Sequence, residues 1–294
     1  MTMAIEAPMA ARLNAPRGGL AVIADLLPRI TFALYMILFF AYLFLPLAVM
    51  TAATFNTSKF PTVTPWLGTT LHWFSALWAD QAMWKALWVS ILIGFCVIAI
   101  ALPIGTAAAL FLTSLDGRAR SFFYAVMVSP LLTPGVAIGI ATLILWRQAG
   151  VGGGLWLIIL AQSSFIAAYV MLMVTARLQR FDRTLEEAAI GLGASRFMVF
   201  RRILLPYLKP SLLAATLIAF LQSFENYNTT LFVRGTETPL TVYIATKVRT
   251  GLTPAVNALG LILIVLTITA AVALEAVKRR RAQSGESSAG PSGR

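Results

Sequence analysis

Six stretches long and apolar enough to cross a bilayer, at 31–55, 86–115, 122–146, 155–176, 211–232 and 256–277, dominate this 294-residue chain. About 20 apolar residues span the hydrocarbon core as a helix, because lipid offers backbone N–H and C=O groups no hydrogen-bonding partner. The chain is therefore read as an all-α membrane protein with six transmembrane helices, and the even number puts both termini on one side. Composition agrees, with 59% hydrophobic and 12% charged residues, where soluble domains carry about 25% charged. A water-soluble globule is excluded, and so is a disordered chain, which would be charged and poor in apolar residues.

The formal net charge is +12, from 23 Lys and Arg against 11 Asp and Glu. In so apolar a chain a basic excess marks loops facing the negatively charged cytoplasmic leaflet rather than nucleic acid. With the N-terminus inside, 17 of the 23 basic residues fall on the cytoplasmic side, seven of them within 177–210. The opposite side holds six: Lys59, Lys85, Arg147, Arg234, Lys247 and Arg249. A cleavable signal is the alternative for the first stretch, but its apolar core exceeds the usual 7–15 residues. Residues 1–30 and 283–294 are read as cytoplasmic ends, the second rich in Ser and Gly and expected to be disordered. Between the first two spans lie Trp66, Trp73, Trp78 and Trp84. They suit a short interfacial helix at headgroup level, with ligand stacking or an outer partner as the alternative.

The chemistry of an enzyme is missing. No G-x-x-x-x-G-K-[ST] string occurs, so the chain is not expected to hydrolyse ATP alone, and Gly152-Gly153-Gly154 is read as a flexible outer turn. His72 is the one histidine and lies outside the spans, leaving no base for an intramembrane nucleophile. None of Asp25, Asp80, Asp116 and Asp182 lies in a span, and a single Cys96 excludes a zinc cage or an internal disulfide. No metal or cofactor is expected on this chain.

The longest cytoplasmic connection, 177–210, reads as a folded element. Thr184-Leu185-Glu186-Glu187 fits a capping box at the start of a short helix, which then meets Gly191 and Gly193, where the chain can turn through positive φ. Ser195 can cap a second helix carrying Phe197, Phe200, Ile203 and Leu204, with Pro206 expected to halt it. So many large apolar residues on a loop require a partner surface, either a protein or the inner leaflet.

These residues form a recognisable pattern. Glu187-Ala188-Ala189, Gly193 with Ala194, and Ile203 with Leu205-Pro206 resemble the EAA motif loop, E-A-A…G…I-x-L-P, of binding-protein-dependent ABC importer permeases. Phe55-Asn56-Thr57-Ser58-Lys59-Phe60, Ser129-Pro130 and Pro254-Ala255-Val256-Asn257-Ala258-Leu259 are similar to the spermidine/putrescine-type subgroup. The resemblance implies the type I importer permease fold in a bacterial inner membrane, with the loop as the coupling helix seated on a separate ATPase. It further implies a second, different permease chain, two ATPase subunits holding ATP and Mg, and an extracytoplasmic binding protein.

Within the fifth span, Gln222, Glu225, Asn226 and Thr229 would share one helical face. A carboxylate in a span costs at least about 2.5–3.5 kcal/mol unless it faces a wet cavity or a partner. The stripe therefore lines a translocation path or forms an interhelical seam. In the third span Pro130 and Pro134, with Gly135 and Gly139, predict a kinked or broken helix facing a cavity or serving packing alone. Polyamine permeases of this type look to carry adjacent acidic residues in the fifth span, whereas here neutral Asn226 follows Glu225. The cargo is read as a small organic cation or zwitterion. A proton-coupled carrier and a passive channel are the rival readings, the first thin in ionisable relays and the second unable to explain the loop.

Overall fold

The computed structural model describes residues 19–251 and 253–288. In chain order the helices are α1 (Gly19–Phe55), α2 (His72–Ala79), α3 (Gln81–Thr113), α4 (Gly117–Leu132), α5 (Gly135–Gln148), α6 (Leu155–Leu178), α7 (Thr184–Gly191), α8 (Arg196–Val199), α9 (Leu205–Phe224), α10 (Thr230–Val233), α11 (Leu240–Thr250) and α12 (Pro254–Ser288). A π-helical turn, Phe200–Leu204, joins α8 to α9. Among the described residues four helices are individually long and apolar enough to cross a membrane: Leu26–Phe55, Gln81–Thr113, Leu155–Leu178 and Arg196–Phe224. The expected third span is the pair α4 and α5, bent by 101°, and the expected sixth is the apolar beginning of α12, Pro254–Thr269.

The chain divides into two units. One contains α1, the loop after it and α12. In α1 the apolar side chains face outward along most of their length, as lipid contact permits, and burial begins only near Ala53 and Thr54. Gly260 of α12 packs against the thioether of Met50. The loop folds around Asn56, whose amide donates to the Thr62 and Pro65 carbonyls at 2.9 and 3.0 Å. Its Oδ1 accepts from the Leu67 N–H at 3.0 Å, and its backbone carbonyl accepts from the Trp73 indole at 2.8 Å. The short helix expected there is α2, carrying Trp73 and Trp78, while Trp84 belongs to α3.

The other unit, Ala76–Leu252, is built on α6, buried on most of its circumference between α3 and α9. Ala101, Gly105 and Ala109 recur every four residues along α3, and small residues let helix backbones approach closely. A Cβ on Gly105 would lie 2.6 Å from that of Val170 on α6, so no larger residue fits. Asp80 caps α3, its carboxylate accepting the Met83 N–H at 3.0 Å. The same carboxylate accepts from the Tyr243 hydroxyl at 2.6 Å and meets the Lys247 ammonium at 3.5 Å, tying α11 to the start of α3. Partial burial alone would raise the Asp80 pKa, but the Tyr243 and Met83 bonds and the Lys247 charge outweigh it and hold the carboxyl below its ordinary range. Tyr243 is pushed well above its ordinary value by burial and by that carboxylate.

Several expectations are corrected. Pro206 does not halt the helix, because the π-helical turn ahead of it widens the backbone and tolerates a missing N–H, so Arg196–Phe224 is continuous. The Thr184 capping box does not form. Asp182 does the capping instead, accepting from the Thr184 N–H at 3.0 Å and its hydroxyl at 2.8 Å. Those two bonds hold the Asp182 carboxyl below its ordinary value. Gly152-Gly153-Gly154 is a packed contact rather than a loose turn, since Gly154 donates to the Val233 carbonyl at 2.8 Å and a Cβ on Gly235 would collide with the Gly153 carbonyl. Helix α12 runs six residues into the tail expected to be disordered, and 289–294 lie outside the described residues.

Candidate functional site

Two helix breaks make the site. The first separates α4 from α5. Pro134 biases the residue before it towards extended backbone, and Thr133 adopts φ −84° and ψ 130°. The Thr133 N–H and hydroxyl both bond back to the Ser129 carbonyl, closing α4, while Pro134 starts α5 with no side-chain cap.

The second break follows Phe224, where α9 stops. Glu225, Asn226 and Thr229 therefore do not continue a helical stripe from Gln222, and the expected single face is corrected to a loop, 225–229. Side chains competing for the backbone account for the stop. Asn226 Oδ1 accepts from both the N–H and the hydroxyl of Thr230, at 3.3 and 3.2 Å. The Asn226 carbonyl accepts from the Thr241 hydroxyl of α11 at 3.2 Å. Gln162 of α6, 1% exposed, bridges the break. Its amide donates to Thr230 Oγ1 at 2.8 Å and its Oε1 accepts from Ser223 Oγ at 2.6 Å.

Between the breaks opens a cleft of about 300 Å³. Its walls are Pro130, Leu131, Thr133, Gly135 and Ile138 from the first break, Phe165 and Tyr169 of α6, Gln222 of α9, and Glu225 to Thr229 of the second break. The broken third span and the polar end of the fifth, identified separately in the sequence, thus meet in one place. Gly139 makes the meeting possible, since a Cβ there would lie 2.7 Å from the Thr229 carbonyl. Of the six path candidates Gln222, Glu225, Asn226, Thr229 and Pro130 line the cleft, whereas Pro134 sits at the start of α5 and acts through the backbone. Asn226 spends its side chain on the turn. The Glu225 side chain is exposed, and among the described residues no cation pairs with it. Sequence reasoning missed Phe165, Tyr169, Tyr227 and Asn228, together with Gln162, whose only signal was an amide in the middle of an apolar span.

The 177–210 loop is shaped by its own backbone. Helix α7 ends with Ala194 N–H donating to the Ala189 carbonyl and Gly193 N–H to that of Ile190, a Schellman closure. Gly193 takes φ +88°, so the positive-φ residue is Gly193 and not Gly191. Ser195 caps α8 as expected, accepting from the Met198 N–H at 3.2 Å. Glu187 and Ala188 are exposed beside Leu192, which is 90% exposed, and Phe197, which is 70% exposed. Leu205 and Pro206 are exposed on α9, Ile203 is half-buried, and Leu204 turns into the core. The loop is fastened at its base, where the Arg177 guanidinium lies 4.2 Å from the Tyr207 ring centre and Arg183 donates to the Thr113 carbonyl.

Residues 101–283 match the family described as binding-protein-dependent transport system inner membrane component. The chain is 30% identical over 248 residues to the spermidine/putrescine transport system permease protein PotC of Escherichia coli (strain K12), covering 83% of this chain and 92% of that one. It is 33% identical over 237 residues to the putrescine transport system permease protein PotI of the same strain, covering 78% and 84%. In fold it is similar to a bacterial alginate ABC transporter solved with its alginate pentasaccharide-bound periplasmic protein, with a TM-score of 0.68 over 88% of this chain and 96% of that chain at 15% identity. The chain belongs to the family of binding-protein-dependent transport system inner membrane components, and is a multi-pass permease subunit of an ABC importer whose ATPase is a separate subunit.

Proposed function

We propose that this permease carries a small organic cation or zwitterion from an extracytoplasmic binding protein into the cytoplasm through the cleft between the two helix breaks, with Glu225 meeting the cationic group. The observation carrying this reading is a carboxylate opening on a cleft of about 300 Å³ with no cation paired to it among the described residues. A carboxylate free of a protein countercharge attracts a cation entering the cleft. The names of PotC and PotI, spermidine/putrescine and putrescine permeases, support a cargo bearing ammonium groups.

In the same reading the 177–210 loop lies in the cytoplasm and seats Glu187, Ala188, Ala189, Gly193 and Ala194, flanked by exposed Leu192 and Phe197, on the ATPase that binds ATP and Mg. Ile203, Leu205 and Pro206 carry the motion into α9. A second, different permease chain completes the path, two ATPase subunits drive it, and both termini are cytoplasmic. The distribution of 17 basic residues against six supports that orientation.

The test compares Glu225→Gln with Glu225→Leu in the reconstituted complex. Glu225→Gln keeps shape and hydrogen bonding but removes the charge, and uptake should fall more than tenfold, a barrier increase of about 1.4 kcal/mol, with complex recovery unchanged. An interhelical seam would instead tolerate Gln and lose assembly with Leu, so full uptake by Glu225→Gln refutes the reading.

A further inference from the structure

The cleft has a second pole opposite in sign to Glu225. Helix α5 begins there with Gly135, which lines the cleft. Its start is uncapped. The Pro134 carbonyl takes the N–H groups of Ala137 and Ile138, at 2.9 and 3.2 Å, while those of Gly135 and Val136 have no acceptor among the described residues. Over the 14 residues of α5 the peptide dipoles sum to roughly half a positive charge at this end, where anions are favoured.

Thr229 points to the same place independently. The residue is fully buried, and its hydroxyl has no hydrogen-bond partner among the described residues. It is directed at the first residue of α5, since a Cβ on Gly135 would lie 2.9 Å from Thr229 Oγ1. A third observation concerns Tyr227, another wall residue, whose hydroxyl accepts from the Arg249 guanidinium at 3.3 Å, bringing a cation to the rim. Glu225 is the acidic residue among the cleft walls.

Resting on the reading of this cleft as the substrate path, we infer that the cargo carries an anionic as well as a cationic group. It is an amino-acid-like zwitterion, with its ammonium at Glu225 and its carboxylate at the start of α5. The amides of Gly135 and Val136 and the Thr229 hydroxyl donate to that carboxylate. Broken helices in transporters face anionic groups with their N-terminal ends in this way. A diamine would set its second ammonium against the positive end of α5.

The test uses the purified transporter complex in lipid nanodiscs, without its binding protein, and measures equilibrium binding of 4-aminobutanoate and putrescine. The two probes have equal carbon chains and differ in a carboxylate against a second ammonium. We expect 4-aminobutanoate to bind about tenfold more tightly, and Thr229→Val, which keeps the side-chain shape, to weaken it about fivefold and putrescine by a clearly smaller factor. Glu225→Gln should weaken both probes. Preference for putrescine overturns the inference. So does Thr229→Val raising thermal stability with no selective loss of 4-aminobutanoate, the result of a merely structural hydroxyl; either leaves the path reading standing. Binding of both probes unaffected by Glu225→Gln, or saturable binding of neither, overturns the path reading itself.

Discussion

The 177–210 loop and the cleft are held together in opposite ways. The loop is closed by bonds between near neighbours: Asp182 with Thr184, Ala189 with Ala194, Ile190 with Gly193, Ser195 with Met198. The cleft is closed by bonds between residues 61 and 68 positions apart, Ser223 with Gln162 and Gln162 with Thr230. The loop also presents apolar side chains outward, whereas the cleft gathers polar ones inward. Local closure fixes the shape of the surface from within, and the long-range contacts of Arg177 with Tyr207 and of Arg183 with Thr113 only tether its base. Long-range closure makes the shape of the cleft a function of where α4, α6 and α9 sit, which suits the path proposed for it.

The sharpest way to break this contrast is at Gly193. A β-branched residue held at φ +88° costs about 1–3 kcal/mol and opens the Schellman closure. Gly193→Val should cut uptake, and the stimulation of ATP hydrolysis by loaded binding protein, more than tenfold. Membrane insertion and probe binding in the cleft should be unchanged. Normal stimulation would remove the loop from coupling.

A smaller effect is expected from Gln162→Leu, which leaves Ser223 and Thr230 without their shared partner at a cost of about 1–3 kcal/mol. The melting temperature of the complex should fall by several degrees and probe binding should weaken, while the ATPase subunits still co-purify in full amount. Loss of the ATPase with an intact cleft would show the two regions to be less separable than their bonding implies.

The smallest effect belongs to Asp80, outside both regions. Its folded pKa lies below the ordinary value of about 3.9, so the ionised group stabilises the α3–α11 tie above that pH and the contribution is lost as pH falls through the folded value. Asp80→Asn should lower the melting temperature slightly near neutrality, where the ionised group contributes in full, and the difference should close as pH falls below about 4, which flattens the acid drop. An unchanged acid limb would assign the acid sensitivity to other carboxylates.

The contrast also explains what was legible in the sequence. Ser195 as a cap, Gly193 as a turn and the exposed Phe197 follow from spacings of a few residues, and the loop could be read directly. Pro134 announced a break for the same reason, because proline acts on its immediate neighbours. The cleft could not be read this way. Nothing near Phe224 marks the end of α9 except Asn226 and Thr230 finding each other, and nothing near Gln162 shows that it reaches both sides of that end. Glu225 was legible as a charge in an apolar stretch, but its place on a loop depended on contacts the linear pattern does not contain. Pro206 failed as a stop signal because the π-helical turn, a feature of backbone geometry with no sequence motif of its own, precedes it.

That uninterrupted helix has a mechanical consequence. Arg196–Phe224 is 29 residues long, about 43 Å at 1.5 Å per residue, with Phe197 at one end and Gln222 beside the cleft at the other. On the proposed reading it is a drive shaft: a rotation imposed at the loop would turn Gln222, and a push along the axis would arrive at Glu225 as a displacement of the loop it begins. The π-helical turn at Phe200–Leu204 is the one departure from α geometry along that shaft, so on the same reading it is where part of each stroke would be absorbed on the way.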